Sequence, residues 1–239
     1  MIERQIDVDA PDGPMTTFVF HPEHEGPHPV VLYLMDAPSI RPALKDMASR
    51  LATAGYYVLL PYLFYRGGPF REFGMSDEDM HARQELMGTV TPTNIVGDAD
   101  ALLAVADADP AARHGKVGAV GFCMSGGLTL ALARARPDRV AAAASIHGAF
   151  LVRDTDDSPH LGLDDVQAEV YFAWVDGDPT APAEHLATMR AALDAAGVRH
   201  TIDVIRGAEH GFAPRGPRYD RDASELHWER VHSLLRRNL

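Results

Sequence analysis

The sequence predicts an α/β protein with a mostly parallel eight-stranded sheet and helices on both faces. Short apolar segments typical of strands alternate with longer segments of helical periodicity. Several of the strand segments are continuous apolar runs, which are typical of strands buried on both faces of a parallel sheet. The 239 residues contain no repeat and no linker composition, so we expect a single domain that spans residues 1–239.

Eight segments are predicted as strands. The first two are polar and flank Pro11, Asp12 and Gly13, a turn signal that predicts an antiparallel hairpin at one edge of the sheet. The later strands are apolar, as in the run from Val30 to Leu34. The predicted strands are residues 2–8, 15–20, 30–34, 56–61, 116–122, 141–146, 169–173 and 200–205.

Six segments between and after the strands are predicted as helices: residues 42–54, 76–87, 94–106, 125–136, 183–196 and 220–237. Gly55 and Gly197 follow two of them, at the position where a helix C-cap favours glycine. Two long loops, residues 62–75 and 148–165, are expected to shape a binding pocket, because long loops in compact domains often carry function.

The composition argues against nucleic acid and membranes as binding partners. The net charge is −12 and the sequence pI is about 5.4, so the surface repels phosphate backbones and anionic lipid. The segment from Met1 to Asp7 lacks the pattern of a signal peptide, and no apolar run approaches the roughly 20 residues of a membrane span. The single cysteine forms no internal disulfide, which favours a reducing compartment. We therefore expect a cytoplasmic protein that binds neither nucleic acid nor membranes, with its oligomeric state left open.

A nucleophile is predicted in the segment from Lys116 to Leu128. An apolar strand runs into a glycine-flanked turn and a helix follows at once, which is the context of a nucleophile elbow. In such a turn the next backbone N–H points at the developing oxyanion, and the helix N-terminus adds positive potential. This element predicts the α/β-hydrolase fold.

Two registers of this turn compete. With Cys123 as the nucleophile, the small residues two before and two after it are Gly121 and Ser125. With Ser125 as the nucleophile, they are Cys123 and Gly127. The apolar strand ends immediately before Cys123, and a thiolate is the stronger nucleophile, so Cys123 is favoured and Ser125 is the alternative. An inert buried cysteine is the third interpretation.

The acid and the base are expected downstream, because the order along this fold is nucleophile, acid, histidine. The strand over residues 169–173 leads into a loop with two candidates for the acid, Asp176 and Asp178. Asp178 is favoured because Pro179 follows it and Pro182 opens the next helix, which fixes its loop. The other interpretation of the two aspartates is that they form a turn.

The predicted base is His210, which stands in a glycine-flanked loop after the last strand. His147 follows another strand; the favoured interpretation is a structural histidine, and a residue that lines the pocket is the alternative. We expect no metal and no other cofactor, since acyl transfer by a triad needs neither.

At this point the chain resembles the dienelactone hydrolase family over nearly its whole length. The resemblance rests on four segments: residues 60–65, 121–127, 178–182 and 210–212. Its cysteine-containing elbow is specific, because most α/β-hydrolases carry serine there. The resemblance implies that Cys123, His210 and Asp178 are the triad. It also implies that the backbone N–H groups of Met124 and Ala37 hold the oxyanion.

The sequence departs from the family pattern at the substrate contacts. The family's reference enzymes carry glutamate just after strand three, and this chain has the shorter Asp36. They carry an arginine four residues after the histidine, and this chain has Pro214 there with Arg215 next to it. An upstream substrate-binding arginine has its nearest counterpart in Arg83. Asp36 and Arg215 are the predicted substrate-binding residues.

The resemblance implies a hydrolase of small esters or lactones, of the carboxymethylenebutenolidase type, that forms a thioester acyl-enzyme. Two alternatives stay open: a thioesterase or general carboxylesterase on the same fold, and a non-catalytic ligand binder or redox sensor that uses Cys123. A sensor needs the reactive thiol but has no need of His210 and Asp178 in triad order, so the complete set favours an enzyme.

Overall fold

An antiparallel hairpin opens the chain in the computed structural model, which describes residues 1–74 and 76–239. Strand β1 (Ile2–Ala10) pairs with β2 (Gly13–His21) across a two-residue turn. Gly13 has φ +130°, a value that favours glycine. The predicted edge hairpin is confirmed, and β1 is longer than predicted because its ladder continues to the pair Ala10–Gly13.

By its internal contacts the described chain divides into two units, Met1–Gly115 and Lys116–Leu239. In the first unit the strand order is β1-β2-β4-β3, with β2 antiparallel to β4 (Tyr57–Pro61) and β3 (Val30–Leu34) parallel to β4. Every residue of β3 and β4 is buried, as the apolar runs predict. The single domain over residues 1–239 stays a prediction.

Three helices belong to the first unit: α1 (Pro42–Thr53), α2 (Asp77–Met87) and α3 (Asn94–Ala108). α1 packs against β2 and β4, and α3 against β1. α2 begins one residue after the predicted start, because Ser76 is its N-cap and accepts a hydrogen bond from the backbone N–H of Asp79. The loop predicted over residues 62–75 contains a 3₁₀ turn at Tyr65–Gly67, and Met75 lies outside the described residues.

The second unit carries four parallel strands in the order in which they occur along the chain. They are β5 (Val117–Phe122), β6 (Val140–Ile146), β7 (Glu169–Val175) and β8 (His200–Ile205). Its helices are α4 (Gly126–Ala135), α5 (Ala183–Ala195) and α6 (Arg221–Asn238). α4 packs against β5 and β6, and α6 packs against β6 and β7. The carboxyl ends of parallel strands meet at one edge of a sheet, which is where ligands bind in such sheets.

The differences from the predicted boundaries have local causes. α4 starts at Gly126 rather than at Ser125, because a 3₁₀ turn over Cys123–Ser125 precedes it. Asp220 is the N-cap of α6 and not its first residue, since its carboxylate accepts from the backbone N–H of Ala223. Gly55 and Gly197 have φ +102° and +66°, so the predicted C-caps are confirmed. Among the described residues, no helix has the length and apolar content needed to cross a membrane.

Candidate active site

Cys123 stands on a strained turn between β5 and α4. Its φ is +54°, a left-handed conformation that costs a residue other than glycine about 1–3 kcal/mol and that is concentrated at functional sites. A Cβ at Gly121 would lie 2.2 Å from the carbonyl oxygen of Ser125, so the turn closes too tightly for any side chain there. The chain therefore folds over Gly121 and leaves Cys123 at the tip of the turn, partly exposed.

The burial of the turn bears on the two competing registers. Ser125 is 0% exposed, whereas Cys123 and Met124 are partly exposed. A hydroxyl enclosed in this way cannot meet a substrate without a rearrangement of the turn. The geometry therefore favours Cys123 over Ser125 as the nucleophile.

His210 and Asp178 lie side by side, although 32 residues separate them along the chain. The distance between Nδ1 of His210 and Oδ2 of Asp178 is 2.5 Å. Asp178 is buried in the loop after β7, and the His210 ring is partly buried in the loop after β8. With Nδ1 turned to the carboxylate, the other ring nitrogen, Nε2, is left to exchange a proton, as a general base requires.

The carboxylate of Asp178 is held in its charged form. Burial by itself would raise its pKa, but hydrogen bonds from Thr180 and His210 outweigh burial and lower the pKa below its ordinary value. Because the charged carboxylate can only accept, Nδ1 of His210 carries a proton and donates a hydrogen bond to Oδ2 of Asp178. The pair is therefore set in the tautomer that a nucleophile-activating histidine needs.

Asp176 lies two residues earlier in the same loop but has a different environment. Its side chain is 58% exposed, and its Oδ2 lies 3.8 Å from Nε of Arg206. An exposed pair at this distance contributes little, about 0–1 kcal/mol. Of the two candidates, the structure places Asp178 against His210 and Asp176 at the surface.

The segment that follows β6 supports the nucleophile turn. The backbone N–H of Ala149 donates to the carbonyl of Cys123 at 2.9 Å, and that of Phe150 donates to the carbonyl of Thr180 at 3.4 Å. His147 is buried, and its ring meets that of His210 edge to face, with 5.1 Å between the ring centroids. His147 thus packs against the catalytic candidate His210 from within the protein, as a buried residue.

Thr180 is one of the residues at this site that sequence reasoning missed. Its backbone N–H and its hydroxyl both donate to Oδ1 of Asp178, at 2.8 and 2.7 Å. Its position two residues after the predicted acid was the available signal, because a hydroxyl or N–H at that spacing commonly binds an aspartate side chain in a turn.

A cavity of about 400 Å³ lies beside the Asp178–His210 pair. It is lined by residues 175–180, by residues 208–210 and by Arg218. Nη1 of Arg218 lies 3.5 Å from the carbonyl oxygen of His210, and its Nε lies 3.7 Å from Glu209. Arg215, the arginine singled out from the sequence, is exposed, and the arginine at the cavity is Arg218.

In the first unit, Asp36 is 3% exposed at the carboxyl end of β3. Both of its carboxylate oxygens accept from the guanidinium of Arg41, at 2.6 and 2.9 Å. Ala37 and Arg83 are partly exposed. Within residues 1–74 and 76–239, no group of three or more His, Cys, Asp or Glu side chains is placed to hold a metal ion.

The profile of the dienelactone hydrolase family matches residues 15–239 of the chain. A Yersinia pestis protein assigned as a carboxymethylenebutenolidase is 30% identical over 217 residues, which cover 87% of this chain and 78% of that protein. A Synechocystis protein with the same assignment is 27% identical over 226 residues, which cover 93% of this chain and 91% of that protein.

A solved structure extends the likeness to three dimensions. The crystal structure of a Klebsiella pneumoniae protein assigned as a dienelactone hydrolase matches with a TM-score of 0.87 and covers 98% of both chains. At 23% sequence identity this likeness concerns the fold alone. The predicted fold class, the α/β-hydrolase fold, is confirmed by it.

Proposed function

Because this chain belongs to the dienelactone hydrolase family and is a hydrolase of carboxylic ester or lactone bonds, we propose that Cys123, His210 and Asp178 are its catalytic triad. The observation that carries the proposal is the His210–Asp178 pair, 2.5 Å between Nδ1 and Oδ2. The strained turn of Cys123 lies in the same unit. The family consists of enzymes, so the interpretation as a ligand binder or redox sensor is set aside.

The first half of the proposed reaction is acyl transfer to the thiol. His210 takes the proton of Cys123 through Nε2, and the thiolate attacks the carbonyl carbon of the ester. The backbone N–H of Met124, the residue after the nucleophile, holds the oxyanion of the tetrahedral intermediate. The C–O bond then breaks, His210 returns its proton to the leaving alkoxide, and a thioester of Cys123 remains. In a lactone the released hydroxyl stays on the acyl chain.

The second half is hydrolysis of the thioester. His210 takes a proton from water, and the hydroxide attacks the thioester carbonyl at the same oxyanion site. The C–S bond breaks, the acid leaves, and Cys123 recovers its proton from His210. Throughout, Asp178 stays charged and stabilises the imidazolium, because hydrogen bonds keep its pKa low in spite of burial.

We propose that Asp36 and Arg215 are substrate-binding residues. Arg215 presents an exposed guanidinium in the loop that carries His210, where it can meet an anionic group of a small ester or lactone. The negative charge of Asp36 is balanced by the guanidinium of Arg41, which donates to both of its carboxylate oxygens. We also propose that the protein is cytoplasmic and that residues 1–239 form a single domain.

A screen of the purified protein against lactones, aryl esters and thioesters tests the proposal, with Cys123→Ala as the matched control. We expect lactones and activated small esters to be turned over fastest, and Cys123→Ala to be inactive on all of them. Preference for thioesters would assign the chain as a thioesterase, and broad activity on alkyl esters as a general carboxylesterase. Wild-type activity in Cys123→Ala would overturn the triad.

A further inference from the structure

Thr180 supplies two of the three hydrogen bonds that hold the buried carboxylate of Asp178. Its backbone N–H and its hydroxyl both reach Oδ1, at 2.8 and 2.7 Å, and Nδ1 of His210 reaches Oδ2 at 2.5 Å. The two oxygens of one carboxylate are thus divided between two partners. Because Oδ1 is occupied twice by Thr180, the carboxylate is turned so that Oδ2 faces His210.

The same hydroxyl also lies near the histidine. Oγ1 of Thr180 is 3.4 Å from Nδ1 of His210, and its one proton is donated to Asp178. A lone pair of Oγ1 is therefore available as a second, weaker acceptor for the Nδ1–H of His210. Contact with both members of the pair fixes the ring plane as well as the carboxylate plane.

The backbone of Thr180 extends this arrangement toward the nucleophile. Its carbonyl accepts from the N–H of Phe150, and the preceding residue, Ala149, donates to the carbonyl of Cys123. Thr180 is thus the residue that contacts the acid, the histidine and the segment that supports the strained turn of Cys123. All these residues belong to one unit, Lys116–Leu239.

We propose that Thr180 is a positioning residue that, through its hydroxyl, orients Asp178 and His210 toward each other for proton transfer at Cys123. The proposal rests on the triad proposed above. Threonine suits this task, because its β-branched side chain has few rotamers and holds the hydroxyl in one direction at little entropic cost. The hydroxyl acts through Asp178 and His210 and does not itself touch the substrate.

Two substitutions separate the hydroxyl from the rest of the side chain. Thr180→Val keeps the shape and the backbone N–H bond to Asp178 but removes Oγ1, and Thr180→Ser keeps the hydroxyl. A hydrogen bond to a charged group is worth enough to change a rate by about tenfold or more when it acts in the transition state. We expect kcat to fall about 10- to 50-fold in Thr180→Val with KM within about twofold, and Thr180→Ser to stay within about threefold of wild type.

The pH dependence of kcat/KM distinguishes a positioning role of Thr180 from a purely structural one, because a structural role would not shift it. The hydrogen bonds from Thr180 offset the burial of Asp178 and lower its pKa, so loss of the hydroxyl raises that pKa. A more basic carboxylate favours the charged form of the His210 ring, which cannot act as the general base. The loss of kcat/KM on the acid side is therefore expected at higher pH in Thr180→Val than in wild type, and at the wild-type position in Thr180→Ser. A Thr180→Val variant with the wild-type kcat and the wild-type acid limb would overturn the inference, and so would a loss of kcat that is equal at every pH.

A double-mutant cycle distinguishes this inference from the triad itself. If Thr180 acts chiefly through Asp178, with the longer contact to His210 a minor part, then Thr180→Val should lower kcat by no more than about threefold in the Asp178→Asn background. A further tenfold loss there would contradict the inference while leaving the triad in place. Wild-type activity in Asp178→Asn would instead overturn the triad, and the inference with it. Circular dichroism and the thermal midpoint of each variant check that the compared proteins are folded.

Discussion

Asp36 and Asp178 are both 3% exposed and follow strand ends, yet they have opposite kinds of partner. Asp36 accepts two hydrogen bonds from the guanidinium of Arg41, a group that keeps its charge at any ordinary pH. Asp178 accepts from two donors of Thr180 and from His210, whose proton can move. Equal burial thus accompanies a permanently balanced charge in one case and a titratable partner in the other.

What a buried carboxylate can do therefore depends on its hydrogen-bond partner, and not on its burial or residue type. A carboxylate tied to an arginine orients a loop but has no proton to control. A carboxylate tied to an imidazole sets its tautomer and stabilises its charged form. This contrast is consistent with the proposal that Asp178 supports proton transfer by His210, and we expect Asp36 to act on loop geometry.

The largest losses of activity are expected at Cys123 and His210, the residues through which Asp178 would act. Cys123→Ala and His210→Ala should each lower kcat by roughly three or more orders of magnitude, because the members of a triad act as a unit. Steady-state hydrolysis of an aryl ester measures the loss. Ser125→Ala is the control, and it should keep activity within about tenfold because the hydroxyl is enclosed. An inactive Ser125→Ala beside a fully active Cys123→Ala would reverse the register of the turn.

Asp178→Asn tests the acid directly. The amide cannot balance an imidazolium and favours the wrong tautomer of His210, so kcat should fall by about two to four orders of magnitude. The matched control is Asp176→Asn in the same loop, which changes an exposed side chain and should leave kcat within about twofold. If the two variants exchanged these results, Asp176 would be the acid.

Asp36→Asn should give a much smaller loss of turnover than Asp178→Asn. Removing the carboxylate charge leaves the partly buried guanidinium of Arg41 without its counter-ion, so the free energy of unfolding should fall by about 1–3 kcal/mol. Urea unfolding measures this change, and kcat should stay within about tenfold of wild type. A loss of a hundredfold or more in kcat at unchanged stability would mean that Asp36 belongs to the catalytic machinery.

The extent to which this contrast could be predicted depends on the range of each interaction. Strand and helix positions follow from local apolar periodicity and turn residues, and β3 and β8 begin and end where predicted. The nucleophile elbow at Cys123 could be predicted equally well, because Gly121 and the preceding strand are its neighbours in the sequence.

Side-chain partners were harder to predict. Arg41 is five residues from Asp36, but nothing in the local pattern distinguishes it from an ordinary surface arginine. The Thr180 hydroxyl reaches His210 only because the loops after β7 and β8, 30 residues apart in the chain, meet at one sheet edge. Arg218 rather than Arg215 lines the cavity, since the orientation of that loop depends on its tertiary contacts. These features depend on loop conformation, which composition and periodicity do not specify.

The smallest expected effect is on the reactivity of Cys123 itself. The proposed partner His210 and the N-terminus of α4 both favour the thiolate over the thiol. Iodoacetamide should therefore alkylate Cys123 readily near neutral pH, and the rate should stay high well below about 8.5, where an ordinary thiol titrates. Cys123 is the only cysteine, so the measurement has no background from other thiols.

Substitution of the two buried aspartates should move this rate unequally. Asp178→Asn removes the charge that stabilises the imidazolium of His210, so alkylation between about pH 6 and 7 should slow several-fold. Asp36→Ala should change the rate little, because in the wild type both oxygens of Asp36 are already engaged by Arg41. A wild-type rate that follows the titration of an ordinary thiol would rule out the ion pair of Cys123 and His210. A marked acceleration in Asp36→Ala would show instead that Asp36 holds the thiol in its neutral form.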